Sequence, residues 1–173
     1  MDSEKLRELI FRIQEKDRTA LEQLYSCMKT SVYSLALVYT KSSHDAEDIM
    51  QNTFLQIWSR ASSFRGDSAK SWVLSIARNL AVDYIRAGKR VTELSDSIPE
   101  KDDCYEKITD SLTVKLMFRH LKNDEREIVL LYSYGYSFRE IAAVVNKSDS
   151  SVQRKYQNAL RKLKKLSGGD NDE

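Results

Sequence analysis

Residues 137–165 read SFREIAAVVNKSDSSVQRKYQNALRKLKK. Ser137 and Glu140 have the S-x-x-E spacing of a capping box, in which the serine oxygen and the glutamate carboxylate each accept from an otherwise orphaned helix N–H. A helix is therefore predicted to start there, with Ile141, Ala142 and Val145 facing inward. Asn146 follows where the chain must turn sharply, and asparagine tolerates left-handed dihedrals better than most residues. Ser148 is placed to cap a second helix that buries Val152, Tyr156, Ala159, Leu160 and Leu163. A short helix, a tight turn and a longer basic helix, with the small Ala142 where the two cross, make the pattern of a helix-turn-helix.

At 100° per residue, Ser150, Arg154, Gln157, Asn158 and Arg161 cluster opposite the apolar stripe of the second helix. Arginine can pair with guanine O6 and N7, and Gln and Asn with adenine N6 and N7, so this face has the chemistry of base reading in a major groove. Lys155, Lys162, Lys164 and Lys165 suit phosphate neutralisation, which adds affinity without sequence information. The competing reading is a basic, solvated helix on an ordinary bundle.

Working outward, residues 45–58 read DAEDIMQNTFLQIW. Ala46, Ile49, Met50, Thr53, Phe54 and Ile57 form one helical stripe, as a helix buried along one side requires. The opposite side carries Asp48, Gln51, Asn52 and Leu55, and no basic residue occurs from Asp45 to Ser59. Leu55 stands where a solvated helix normally places Lys or Glu, which points to a docking surface; a surface helix with one stray leucine is the plainer alternative. Ser43 is expected as the N-cap of this helix, with Asp45 and Glu47 in its first turn.

Helix is predicted nearly throughout. Leu6, Leu9, Ile10 and Ile13 mark a first amphipathic segment. Ala20, Leu21, Leu24 and Tyr25 mark a second after Asp17, and Val32, Leu35, Ala36 and Tyr39 a third. A break is expected over 62–68 around Gly66. The next helix should turn Trp72, Val73, Ile76, Leu80 and Tyr84 inward and show Ser71, Ser75, Arg78, Asn79, Arg86 and Lys89 outward, a cationic, hydrogen-bonding face suited to phosphates. Beyond residue 87 the periodicity fades around the only proline, Pro99, and returns with Leu112, Leu116 and Leu121, then Ile128 to Leu131. Tyr132, Tyr134 and Tyr136 read as core and turn packing.

The 173 residues carry a net charge of only +2, but the charge is segregated. Residues 60–90 hold seven basic and two acidic side chains, net +5; residues 95–111 hold two basic and six acidic, net −4; residues 147–165 hold seven basic and one acidic, net +6. Two basic blocks flanking an acidic spacer fit either solvated faces or a polyanionic partner. The expected organisation is all-α: a helical domain over 1–90, a flexible acidic linker over 91–111, a helix-turn-helix domain over 112–167 and a disordered tail over 168–173.

No apolar run approaches the ~20 residues of a membrane span, and the start, MDSEKLRELI, lacks the features of a signal peptide, so a cytoplasmic protein with no membrane insertion of its own is expected. Cys27 and Cys104 are too few and too distant for a disulfide framework or metal knuckle and read as ordinary thiols. No nucleophile elbow or phosphate loop is present, and the only histidines are His44 and His120, so no enzyme and no cofactor are expected. His44 with Glu47 and Asp48 imitates a metal cluster but lacks the paired E-x-x-H of helical di-metal sites; no metal is expected there.

DAEDIMQNTFLQIW, the F-x-G-x-S-x-x-x-W turn with the helix WVLSIARNLAVDYIR, and SYGYSFREIAAVVNKSDSSVQRKYQNALRKLKK together resemble the bacterial RNA polymerase sigma factors of the extracytoplasmic-function group. The likeness spans nearly the whole chain and is to the minimal two-domain members. It implies that the first domain binds core RNA polymerase through Asp48, Gln51, Asn52 and Leu55. It also implies that the loop from Phe64 and the following helix engage the minus-ten promoter element, with Phe64, Arg65, Asp67, Arg78, Asn79 and Arg86 as candidates and base and phosphate contacts not separated. The second domain would read the minus thirty-five element through Ser150, Gln153, Arg154, Lys155, Gln157, Asn158 and Arg161. Promoter DNA and an anti-sigma protein are implied partners. A proline common in relatives ahead of the next helix is replaced by Asn123 and Asp124, expected as a capping substitution. The alternative from another class is a stand-alone, dimeric helix-turn-helix regulator.

Overall fold

The computed structural model describes residues 3–87 and 119–167. Seven α-helices account for most of them: α1 (Ser3–Gln14), α2 (Arg18–Thr40), α3 (Ser43–Arg60), α4 (Ala69–Arg86), α5 (Asn123–Ser133), α6 (Phe138–Val145) and α7 (Asp149–Ser167). A 3-10 turn, Ala61–Ser63, follows α3. The described residues contain no strand, in line with the all-α expectation. The expected linker, Cys104 and the expected tail lie outside the described residues.

Local chemistry sets the helix ends. Asp17 caps α2 by accepting from Thr19 N and Ala20 N, and Arg12 holds the same carboxylate through Nε and a terminal nitrogen at 2.9 and 2.6 Å. Lys41, in the left-handed region at φ 54°, ends α2 with its N–H on the Leu37 carbonyl. Ser42, not the expected Ser43, caps α3 by accepting from Asp45 N. At α5 neither Asn123 nor Asp124 is the N-cap residue, although Asp124 Oδ1 accepts from Glu125 N at 3.0 Å. Lys122 is the N-cap residue, its side chain makes no cap bond, and Glu125 reaches back to accept from Lys122 N at 2.9 Å.

The second and third amphipathic segments expected between residues 18 and 40 are one continuous helix, α2. Each residue of its last turns, from Ser31 to Thr40, is buried. No single stripe describes such a segment, because α2 is covered by α1, α3 and α4 from one half of the chain and by α5 from the other. Helix α4 is likewise covered by α6. The buried stripe of α4 is accordingly not the expected one. Ala69, Ser71, Val73, Leu74, Ala77 and Ala81 are buried, while Trp72, Ile76, Leu80 and Tyr84 are half-buried. Alanines on this face let neighbouring backbones approach closely.

Candidate nucleic-acid interface

The helix-turn-helix forms as its capping chemistry requires. Ser137 Oγ accepts from Glu140 N at 3.2 Å, and Glu140 accepts from Ser137 N at 2.9 Å. Asn146 stands in the left-handed region at φ 53° and carries the chain from α6 to α7, and Ser148 Oγ accepts from Ser151 N at 3.4 Å. Val152 and Ala159 are fully buried under α7, with Tyr156, Leu160 and Leu163 half-buried. Tyr156 closes a three-ring cluster: Tyr132 stacks on Phe138 at 4.9 Å and lies 4.5 Å from Tyr156. Aromatic contacts at these separations tie α5, α6 and α7 together.

Ser150, Gln153, Arg154, Gln157 and Arg161 are exposed along α7, and Asn158 is half-buried beside them. Lys155 is placed differently. Its ammonium donates to Asp124 of α5, and Lys162 donates to both carboxylate oxygens of Glu125 at 2.6 and 2.8 Å. Burial works against the charge of both carboxylates, yet the lysine bonds more than offset it and both are held below the ordinary carboxylate range. Two lysines read as phosphate neutralisers therefore anchor α7 to α5, and Lys164 and Lys165 are left exposed at its far end.

In the first half of the chain, the loop between the 3-10 turn and α4 is fixed from beneath. Phe64, expected at a DNA surface, is 3% exposed; its ring lies 5.7 Å from Phe11 and 5.3 Å from Trp72, so it anchors the loop. Gln14 of α1 donates to the carbonyls of Ala61 and Phe64 at 3.0 and 3.3 Å. Gly66 has φ +91°, a conformation L side chains rarely adopt, with Phe11 beside it. Arg65 and Asp67 are exposed on the loop thus held. Ser68 then caps α4, accepting from Ser71 N.

The outward face expected of α4 is divided by the packing of the second half of the chain. Asn79 and Arg86 are exposed and Ser75 is half-buried; Lys89 lies outside the described residues. Ser71 is buried and donates to the backbone carbonyl of Glu140 in α6 at 3.1 Å. Arg78 Nε donates to both oxygens of Glu127 in α5 at 3.0 and 3.2 Å, and Tyr39 of α2 donates to the same carboxylate at 2.5 Å. Glu127 is wholly buried. Burial pushes its carboxyl above the ordinary range, against the pull of Arg78 and Tyr39; burial, then the carboxylate, raises the Tyr39 phenol. Sequence reasoning missed this cluster and Gln14. A signal for the former was present, since Glu127 stands three and four residues before the buried Leu130 and Leu131, on the apolar stripe itself.

On α3, Asp48, Gln51, Asn52 and Leu55 are all exposed, Leu55 at 66%. Asp45 is drawn instead into a hydrogen bond with Tyr84 of α4, which pushes that phenol up to about 12. His44 lies 3.8 Å from Asp48 on the exposed surface. Among the described residues no group of three or more His, Cys, Asp and Glu is arranged to hold a metal, and no helix is long and apolar enough to cross a membrane.

Residues 24–91 match the family model for sigma-70 region 2, and residues 111–163 that for sigma-70 region 4. The ECF RNA polymerase sigma factor SigM of Bacillus subtilis (strain 168) is 26% identical over 161 residues, spanning 88% of this chain and 99% of the relative. BldN of Streptomyces coelicolor, also an ECF RNA polymerase sigma factor, is 27% identical over 176 residues, 95% of this chain and 67% of its own length. In fold the chain is similar to CnrH, solved in complex with the cytosolic domain of CnrY, with TM-score 0.73, 23% identity and coverage of 96% of this chain and 99% of that one. It is also similar to the sigma factor RpoE of Bartonella quintana, solved with the anti-sigma factor NepR, with TM-score 0.68, 22% identity and coverage of 87% and 98%. With region 2 and region 4 in that order on the helices described, and relatives aligned over nearly the whole chain, the protein belongs to the sigma-70 family, in its extracytoplasmic-function group of RNA polymerase sigma factors.

Proposed function

We propose that this chain binds core RNA polymerase and directs it to selected promoters, with no chemistry of its own. The observation that carries this reading is the presence of two exposed, cationic and hydrogen-bonding surfaces together with one exposed ridge that is apolar, amide and acidic. Exposed Arg65 and Asp67 stand on a loop braced by α1, exposed Asn79 and Arg86 follow along α4, and exposed Arg154, Gln157 and Arg161 line the second helix of a helix-turn-helix. On α3, Asp48, Gln51, Asn52 and Leu55 offer polymerase an apolar anchor within an acid and amide rim, the composition of a protein interface.

The minus-ten role belongs to the loop and α4, where exposed cations supply phosphate contacts and the loop offers a place for an unstacked base. The minus thirty-five role belongs to α7, through Ser150, Gln153, Arg154, Gln157, Asn158 and Arg161. Promoter opening is then driven by binding energy to the single-stranded form. The first domain runs to about residue 90 and the second from about 112, joined by the acidic segment between them. The two fold neighbours were each solved with a second protein, and an anti-sigma protein covering these surfaces is a partner of this chain in the same reading. The presence of both sigma-70 regions does not favour a stand-alone dimeric regulator.

Co-elution of the purified chain with core RNA polymerase tests the docking ridge. The wild-type chain is expected to co-elute and Leu55→Arg to lose most of its binding; retained binding by a folded Leu55→Arg chain would show that the ridge lies elsewhere.

A further inference from the structure

Arg78 and Tyr39 come from two helices of region 2 and converge on one carboxylate that comes from region 4. The side chain of Arg78 is 23% exposed and that of Glu127 is 0% exposed. The guanidinium also lies over the Tyr39 ring, 6.0 Å from its centre. A guanidinium beside a phenol hydroxyl is a receptor for any oxyanion, since its N–H groups suit carboxylate and phosphate alike. Arg78 shares α4 with the exposed Asn79 and Arg86, so the cation held by Glu127 belongs to the same helix as those assigned above to promoter contact.

The contacts around this receptor are of a kind that water can replace. Ser34 and Tyr134 share a hydrogen bond of 2.9 Å between hydroxyls. Ser71 donates to the Glu140 carbonyl, and Lys70 sits 3.9 Å from the Glu140 carboxylate. The seam also buries apolar side chains of both halves in one core, and its polar contacts make it cheaper to separate than a wholly apolar seam would be.

We infer that Arg78 and Tyr39 form an anion-binding pair with two mutually exclusive occupants: the Glu127 carboxylate of α5 while the two regions are packed together, and a phosphate of single-stranded promoter DNA once they separate. The inference rests on the promoter role assigned to α4 under Proposed function. Its consequence is that region 4 competes in cis with DNA for region 2, and the free chain binds single strands more weakly than region 2 alone would. The apparent affinity is reduced by the fraction of chains that are open.

Binding of a fluorescein-labelled, mixed-sequence single-stranded 15-mer to the full chain tests this, together with the radius of gyration from solution scattering. Glu127→Gln keeps the side-chain volume and removes the charge. It is expected to enlarge the radius and tighten oligonucleotide binding by at least about fivefold. Arg78→Ala placed in the same chain should keep the larger radius and abolish that gain. Tightening that survives Arg78→Ala, expansion without tightening, or no change in either quantity would each overturn the inference. If circular dichroism shows that Glu127→Gln has lost helix, Ser71→Ala, which removes the bond from α4 to the Glu140 carbonyl and leaves Arg78 and Tyr39 in place, carries the same pair of measurements. Core-dependent transcription by the wild-type chain separates the two levels: if it is present while Glu127→Gln changes nothing, only the inference fails; if it is absent, the promoter role itself fails.

Discussion

Gln14 and Phe64 are fifty residues apart and joined by a hydrogen bond of 3.3 Å from the Gln14 amide to the Phe64 carbonyl, with a companion bond of 3.0 Å to Ala61. A helix at the start of the chain thereby fixes the loop that leads into α4. Gln14→Ala removes both bonds at a part-buried site, and a cost of about 1–2 kcal/mol in unfolding free energy is expected. Chemical denaturation reads the total, and faster amide exchange at 64–68 without faster exchange in α7 locates it. Unchanged exchange in the loop would show that Phe64, wedged between Phe11 and Trp72, suffices.

Lys155 and Arg154 are neighbours with different assignments. Arg154 is exposed and free to reach base edges. Arg154→Ala should cost about 1–3 kcal/mol of discrimination between preferred and scrambled minus thirty-five sequences and leave polymerase association intact. Competition binding by the polymerase-bound chain measures the first and co-elution the second. Loss of both together would indicate misfolding.

Lys155 is bonded to Asp124. Lys155→Met is therefore expected to lower stability by up to about 1 kcal/mol while barely altering the salt dependence of DNA binding. Lys165→Met should behave oppositely, reducing the salt slope by about one phosphate contact with stability unchanged. A reduced slope for Lys155→Met would return that side chain to the DNA.

Asp17 predicts an acid limb. The Thr19 hydroxyl and Arg12 hold its carboxyl down at about 2, against an ordinary value of 3.8. Between those values the unfolded chain binds more protons than the folded one, so this stabilisation is complete above the ordinary value and is lost as pH falls toward 2. Asp17→Asn keeps a side-chain oxygen for capping and has no carboxyl to titrate. Its unfolding free energy should fall less steeply than that of the wild type in the window between about 4 and 2; parallel curves would contradict the role of Asp17.

How much of this could be read beforehand differs between the two halves of the chain. The turn into α7 was legible residue by residue, because Ser137, Glu140 and Asn146 act on their own backbone neighbourhood and need no distant partner. The exposed ridge of α3 was legible for a related reason: one stripe is buried and the other is not. Around α2 and α4 the same reading failed. Periodicity assumes one buried side, whereas both helices are covered twice, so two expected segments merge into α2 and Ser71 and Arg78 turn from solvent to protein. Side-chain pairing across the chain was equally hidden. Nothing local distinguishes Lys155, bonded to Asp124, from the exposed Lys165, and Phe64 is placed at DNA only by what the resemblance implies for its motif, which says nothing of the Phe11 and Trp72 rings packed on it.

The most direct test is run-off transcription from genomic fragments with purified core RNA polymerase. The chain and core enzyme together should yield discrete transcripts from a subset of fragments, and neither component alone should do so. A chain that never associates with core enzyme, yet binds double-stranded operators tightly on its own as a dimer, would contradict the assignment.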